Sequence, residues 1–297
     1  MLRACERFGL SDVGLTLRFA VERDAGVYYA KLEGASWHTG LLPQAPNPPG
    51  DWVFLCLIRA GRVWVAPDGF WLESGVPFVV TEQHIVAADP DGSCFRSEMP
   101  VLEGVALRVR AADTRLDASR PQNVTVDASV RQALENAVDV LAGDADTGET
   151  QSLFQRLLDA CADTGILTRH LRVEAERRRH SALERARKAL FPILETLFQS
   201  PMLVDAMSRV GTTDRQVRRD ILRLQREYGF FDRGWRNALN RWRITAAVLL
   251  LSSDSLSNAE VAVAVGYGSL TAMDRAFKRA GLPTPRQVRE QHQQSFP

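Results

Sequence analysis

The sequence predicts an α+β chain: an N-terminal antiparallel β barrel, a helical linker, and a C-terminal all-α domain holding two helix-turn-helix units. Three observations predict it. Residues 12 to about 112 contain short β-branched and aromatic runs separated by turn signals. After about residue 125 the apolar side chains recur at helical spacing instead. The last hundred residues then repeat one pattern twice: short helix, glycine turn, second helix. The boundaries that follow are 1–120, 121–182 and 183–297.

The β runs are Val13-Gly-Leu-Thr-Leu-Arg-Phe-Ala-Val, Val27-Tyr-Tyr-Ala-Lys-Leu, Trp52-Val-Phe-Leu-Cys-Leu-Ile, Arg62-Val-Trp-Val, Phe78-Val-Val and Val105-Ala-Leu-Arg-Val. Asp24-Ala-Gly, Ala60-Gly, Pro67-Asp-Gly and Asp89-Pro-Asp-Gly punctuate them. Many short strands at this spacing fit an antiparallel barrel or sandwich. Pro43 to Gly50, with four prolines, reads as an exposed loop.

In the linker, Val130, Leu134, Val138 and Leu141 share one helix face. A polar break, Gly143-Asp-Ala-Asp-Thr-Gly, precedes a second stripe of Leu153, Leu157, Leu158 and Cys161. That stripe is too apolar to leave in water. It has two outlets, packing on the barrel or pairing with the same helix of a second subunit. Arg169 to Lys188, with Arg177-Arg-Arg at its centre, reads as a solvated helix face, and Pro192 marks a helix start or boundary.

Composition narrows the function classes. A hydrophobic fraction of 45% with 25% charge excludes wholesale disorder. No apolar run approaches the roughly 18 residues of a membrane span, so no membrane partner is expected. Met1-Leu-Arg-Ala-Cys-Glu-Arg puts charge where a signal peptide is apolar, so a cytoplasmic protein is expected. Cys5, Cys56, Cys94 and Cys161 lie far apart and read as reduced thiols, Cys5 as an exposed bystander between Arg3 and Arg7. The net charge of +1 hides an asymmetry: residues 1–150 carry 13 basic against 21 acidic side chains, and residues 151–297 carry 24 against 15. A basic back half points to a polyanionic partner. Arg outnumbers Lys 34 to 3, which suits bidentate recognition of guanine and phosphate but also fits the codon usage of a GC-rich genome. Position has to decide.

The second unit is the clearer. Ser257-Asn-Ala-Glu260 has capping-box spacing, Val261, Ala262 and Val265 form a buried side, and Gly266 makes the turn. Ser269 caps a second helix in which Met273, Ala276 and Phe277 face inward. Leu270, Thr271, Asp274, Arg275 and Lys278 are left largely outward. The first unit repeats this. Ser200-Pro201 reads as cap and first helical residue, Leu203, Ala206, Met207 and Val210 as the apolar side, and Gly211 as the turn. Thr213-Asp-Arg-Gln216 is again a capping box, followed by inward Val217, Ile221 and Leu224 and outward Arg215, Arg218, Arg219 and Arg226. A helix cationic on its free face fits a DNA major groove. Trp235 to Leu251 reads as one helix fixing the spacing between the units.

Trp242-Arg-Ile-Thr-Ala-Ala-Val-Leu-Leu-Leu, Ala259-Glu-Val-Ala-Val-Ala-Val-Gly-Tyr-Gly-Ser, Met273-Asp-Arg-Ala-Phe-Lys-Arg and Thr284-Pro285 resemble the C-terminal signature of the AraC/XylS transcriptional regulators over about residues 185–290. The resemblance implies that the second helices of both units enter adjacent major-groove segments of double-stranded promoter DNA. It makes Arg215, Arg218, Arg219, Leu270, Thr271 and Arg275 DNA-facing, with Ser269 and Lys278 completing the candidate set. Arg219 reads either as a base-edge contact or as a partner of phosphate or an acidic neighbour. Met207, where the family prefers a small residue, the longer first recognition helix and an early Gly281 depart from the pattern.

The N-terminal domain resembles the family's cupin-like effector barrel only in Asp51-Trp52…Gly61 and its strand rhythm. Trp37, Phe54, Trp64, Trp71 and Phe78 are candidate walls of a small-molecule pocket, or ordinary barrel core taken singly. His38 and His84 stand alone, so neither a metal nor another cofactor is expected. No phosphate loop, nucleophile elbow or metal box marks an enzyme. The expected function is transcriptional regulation under a small organic effector, with a homodimer and RNA polymerase as further partners. The alternatives are a regulator whose N-terminal domain docks a protein, and a DNA-tethered cupin enzyme, which the missing ligands disfavour.

Overall fold

A computed structural model of the chain describes residues 2–10, 12–43, 50–66, 68–85, 94–143, 146–173, 185, 202–228 and 235–294. The β region holds β1 (Leu2–Leu10), β2 (Val13–Val21), β3 (Ala25–Glu33), β4 (Trp52–Ala60), β5 (Val63–Ala66), β6 (Phe70–Leu72), β7 (Phe78–Thr81), β8 (Cys94–Ser97), β9 (Val101–Arg110) and β10 (Gln122–Asn123). Seven of them form one sheet in the order β1-β2-β3-β9-β4-β7-β10, and β6-β5-β8 form a second. Every strand pairing is antiparallel. The expected barrel is therefore two sheets sharing a core: Ile58, Phe78 and Val80 from the large sheet meet Val63, Val65, Leu72 and Phe95 from the small one. Gly104 sits where β9 and β4 come closest; a Cβ there would lie 2.6 Å from the Leu57 carbonyl oxygen.

The other face of the large sheet carries Val27, Tyr29, Leu55, Leu57, Val105, Leu107 and Val109. It is covered by α2 (Ala128–Ala142) and α3 (Thr147–Asp163), which follow the four-residue α1 (Glu82–Ile85). Asp127 and Asp146 cap the two long helices, each carboxylate accepting a first-turn N–H at 2.8 Å. Val130, Leu134, Val138 and Leu141 face the sheet as their spacing predicts. Leu153, Leu157, Leu158 and Cys161 join the same cluster and are at most 1% exposed. Of the two outlets for that stripe, the chain uses the intramolecular one, at roughly 1.5–3 kcal/mol of stabilisation per buried aliphatic side chain.

The C-terminal region contains α4 (Leu203–Val210), α5 (Asp214–Tyr228), α6 (Trp235–Leu251), α7 (Asn258–Ala264), α8 (Leu270–Arg279) and α9 (Pro285–Gln293). Buried Ile244 and Ala246 to Leu251 make α6 its central helix, packed on α7, α8 and α9. One apolar cluster runs from Val13, Leu15, Phe19 and Val21 of β2 into α6 and α8. Polar contacts reinforce that junction. The Ser36 N–H donates to Ser252 Oγ at 2.8 Å, and Ser253 Oγ donates to the Asp12 carboxylate at 3.2 Å. Arg96 donates to the carbonyls of Gln294, at 2.6 Å, and of His292.

Three readings of the sequence are corrected. β1 precedes the expected start of the β region; its Glu6, Arg3 and Arg7 masked a strand that pairs with β2 over nine positions through backbone hydrogen bonds. β6, of three residues, and β8, of four, are short strands that the apolar runs of the sequence do not single out. The first unit's opening helix begins at Leu203, with the Asp205 carboxylate accepting the Met202 N–H at 2.6 Å. Ser200-Pro201, Arg177-Arg-Arg and Pro192 lie outside the described residues.

Candidate nucleic-acid interface and effector core

The second unit is built as its sequence spells it. Ser257 Oγ accepts the Glu260 N–H at 3.3 Å while the Glu260 carboxylate accepts the Ser257 N–H at 2.8 Å, closing the capping box of α7. Those hydrogen bonds hold the Glu260 carboxyl below its usual range. Gly266 turns the chain at φ +85°, in the left-handed region that favours glycine. Ser269 then caps α8 by accepting the Ala272 N–H at 3.2 Å. Val261, Ala262, Val265, Met273 and Phe277 are all fully buried. Their burial fixes the opposite face of α8, where Ser269, Thr271, Arg275 and Lys278 are exposed and Leu270 is 38% exposed. Arg275 and Lys278 make no ion pair or hydrogen bond among the described residues, so their donors are free for a ligand.

Arg289 of α9 clamps this unit. Its guanidinium donates to the carbonyls of Ser253 and Leu256, both at 2.6 Å, and to Asn258 Oδ1 at 2.9 Å. No local pattern announces this role, because the acceptors are carbonyls and a side chain brought together by the fold.

The first unit turns at Gly211, φ +61°. Only half its capping box forms: Thr213 Oγ1 accepts the Gln216 N–H at 3.3 Å, whereas the Gln216 side chain donates to Asp220 at 2.8 Å. Val217 and Ile221 are buried and Met207 and Val210 partly so, while nothing is described of the Leu203, Ala206, Leu224 and Arg226 side chains. Buried Asp220 also accepts from Arg185 Nε at 3.3 Å, an ion pair the sequence reading missed. Arg215, Arg218 and Arg219 are exposed. Arg218 is held by Asp214 one turn back, Nε lying 2.8 and 2.9 Å from the two carboxylate oxygens, and Arg219 reaches Gln216 Oε1 at 3.4 Å.

The five aromatic residues expected to wall a pocket are not brought together. Phe54 and Phe78 face the core between the sheets, and Trp37 packs at the junction with the helices. Val63, Val65 and Leu72 take the inward positions of β5 and β6, so alternation turns Trp64 and Trp71 to the opposite face. There the two rings pair edge to face at 5.2 Å, with Arg62 4.0 Å over Trp71. A shallow cleft of about 460 Å³ lies elsewhere, lined by Asp68, Phe70, Arg120, Pro121, Gln122 and Asn123.

His84 is buried and its Nδ1 accepts the Thr81 N–H at 3.1 Å. His38 packs edge-on against His292 at 6.0 Å, at the junction with α9. Burial, with Arg96 nearby, lowers His38 to about 4; burial, with His38 and Arg96, lowers His292 to about 3. Both are neutral at pH 7. Burial pushes the Cys56 and Cys161 thiols up to about 12, which leaves them unreactive. Among the described residues, no three His, Cys, Asp or Glu side chains cluster to hold a metal ion, and no helix is long and apolar enough to cross a membrane.

No protein-family model matches the chain, and no curated protein matches it. Among solved structures it is similar to ToxT from Vibrio cholerae, at 9% identity and a TM-score of 0.36 over 89% of this chain and 98% of that one. It is similar to unsaturated fatty acid-bound ToxT, at 9% identity and 0.35 over 91% and 96%. It is also similar to the AraC-like transcriptional activator CuxR, at 15% identity and 0.33 over 80% and 82%.

Proposed function

We propose that this chain is a sequence-specific DNA-binding transcriptional regulator of the AraC/XylS type. The observation that carries the reading is α8. One side of it is buried, its N-terminus is capped by Ser269 after a left-handed glycine, and its outer side presents Leu270, Thr271, Arg275 and Lys278, with no side-chain hydrogen bond or ion pair to Arg275 or Lys278 among the described residues. A helix so fixed and so exposed is the reading element of a helix-turn-helix unit. α5 is its counterpart, with Arg215, Arg218 and Arg219 outward. Arg275 and Arg215 serve as base-edge or phosphate contacts; Arg218 and Arg219 reach DNA by exchanging Asp214 and Gln216 for phosphate or guanine.

The β region is the control domain, taking a small organic effector and performing no catalysis. Its apolar cluster, continuous with α6 and α8, supports coupling between effector and reader. A second copy of the chain pairs through a surface other than the Leu153–Cys161 stripe, which is buried within one copy. RNA polymerase is the further partner.

The test is to map genomic binding sites and footprint the full chain on one of them. Protection of two adjacent major-groove segments is the expected result, with protection lost for Arg275→Ala. Binding to all sequences alike, with an affinity set by salt alone, would defeat the reading.

A further inference from the structure

Arg108 sits on β9, opposite Phe54 of β4 and Gly26 of β3, on the face of the large sheet turned away from α2 and α3. It is 6% exposed, and it makes no hydrogen bond or ion pair among the described residues; its Nε is enclosed and unpartnered. Its neighbours are rings, Trp52 at 4.0 Å and Tyr28 at 5.2 Å from the guanidinium carbon. The Tyr28 hydroxyl is likewise buried without a partner. The Tyr28 ring packs near Phe19 at 5.9 Å and Phe54 at 6.3 Å. Gly26 lies beside it, where a Cβ would come within 2.9 Å of the Tyr28 ring and of Val21.

The charges around this pair leave it unsatisfied. Glu82 of α1 is the acid whose field reaches both Arg108 and Tyr28, but it forms no ion pair with Arg108 and instead accepts the Gly50 N–H at 2.5 Å. Arg110, 3.7 Å over the Trp52 ring, adds a like charge and has its own acid in Asp24 at 3.9 Å. A guanidinium carries five N–H donors in one plane, and rings stacked on its faces accept none of them. Burying such a group without an acceptor is unfavourable, and a carboxylate is the partner whose two oxygens match the fork. Burial also holds the Tyr28 hydroxyl up at about 12, so it stays a donor at neutral pH.

We propose that Arg108 and Tyr28 form the recognition pair for a small organic monocarboxylate, whose apolar body lies against Phe19 and Phe54. The proposal rests on the effector-controlled reading above and specifies the chemistry of its control site. The carboxylate takes in-plane hydrogen bonds from Arg108 and one from the Tyr28 hydroxyl, and Trp52 keeps the guanidinium plane in place. Of the five aromatic residues singled out in the sequence, Phe54 alone belongs to this set.

The experiment is isothermal titration of the full chain at pH 7 with benzoate, phenylacetate and hexanoate, each beside its uncharged amide. At least one acid should bind saturably and its amide at least tenfold more weakly. Tyr28→Phe should weaken the acid several-fold, Arg108→Lys should weaken it further, and Arg108→Gln should abolish it. Equal binding of acid and amide, no binding of any acid, or unchanged affinity in Arg108→Gln would overturn the site. If Arg108→Gln does not fold, judged by circular dichroism, the acid–amide comparison and Tyr28→Phe decide. Footprinting in parallel separates the two readings. Acid binding by a chain that binds no DNA would overturn the regulator and leave this site supported; DNA binding by a chain that takes no acid would overturn the site alone.

Discussion

The two helix-turn-helix units share a plan and differ in how firmly it is built. In the second, both halves of the α7 capping box form, five core side chains are fully buried, and Arg289 clamps the loop before it. In the first, half a box forms, Met207 and Val210 are only partly buried, and Val204 and Leu222 are exposed. The second is also tied to the β region at the end of α9, where Arg96 donates to the Gln294 and His292 carbonyls. Equal sequence motifs thus give one unit with a complete capping box and fully buried helix contacts, and another with half a box and two partly buried contacts. Under the proposed function, the first unit is the one whose docking geometry DNA would settle.

Core truncation should show the difference most strongly. Phe277→Ala removes a fully buried ring and should cost about 3–5 kcal/mol, while Ile221→Ala in α5 should cost roughly 2, at the low end for such changes, because its surroundings can collapse. Thermal melts of the full chain give both values. Equal losses would mean that the first unit is as tightly packed as the second.

Binding sharpens the contrast without touching stability. Arg275→Ala should weaken a specific site by about 1–3 kcal/mol and relax one base preference, leaving the melting temperature unchanged. Arg218→Ala should cost less, since its guanidinium leaves Asp214 before it meets DNA. Arg219→Ala should fall between them, and fluorescence anisotropy on specific and random duplexes ranks the three. An Arg275→Ala chain that unfolds would move that residue from reader to framework.

What the sequence made legible follows the same division. Ser257, Gly266, Ser269 and Phe277 could be placed because capping and turning are local and need only spacing. α6 runs over Trp235–Leu251 as its pattern predicts. The contacts that escaped are non-local: Arg289 on loop carbonyls, Arg185 on Asp220, Arg96 on the end of α9. That Trp64 and Trp71 face away from the core between the sheets was hidden for a different reason. Val63, Trp64 and Val65 are all apolar, so alternation fixes the period and leaves the phase open. Arg108 was hidden by the same ambiguity: a strand covered on both faces puts a cation inside where a one-sided sheet would put it in water.

Acid should loosen the second unit from the β region. His38 and His292, near 4 and 3 when folded, return to about 6.5 when exposed, so between those values the open state binds more protons. Stability therefore rises with pH across that window and falls on acidification from about 6.5. At pH 5.5 each histidine should withdraw roughly 1.4 kcal/mol, calculated from an exposed value of 6.5. Melts at pH 7.5 and 5.5 should differ less in His38→Phe and His292→Phe than in the native chain. An unchanged pH difference in both variants would show that the junction is held elsewhere, at Ser36–Ser252 and Asp12–Ser253.

The smallest effects lie at the caps, and they test the comparison most directly. Ser257 takes part in two reciprocal hydrogen bonds; Ser257→Ala removes the hydroxyl acceptor for the Glu260 N–H and leaves the backbone N–H of residue 257 to the Glu260 carboxylate. A loss of about 1 kcal/mol is expected. Thr213 accepts one N–H at 3.3 Å and receives nothing back, because Gln216 is turned to Asp220; Thr213→Ala should cost about 0.5 kcal/mol. A long duplex carrying both half-sites should erase the gap if DNA completes the first unit, since docking would order α5 whatever its cap. Hydrogen exchange of the amides at Gln216 and Glu260, free and DNA-bound, reads the two caps separately. Protection rising at Gln216 and staying constant at Glu260 is the expected outcome. Equal protection of the two amides in the free chain would remove the distinction between a preformed and a DNA-completed reader.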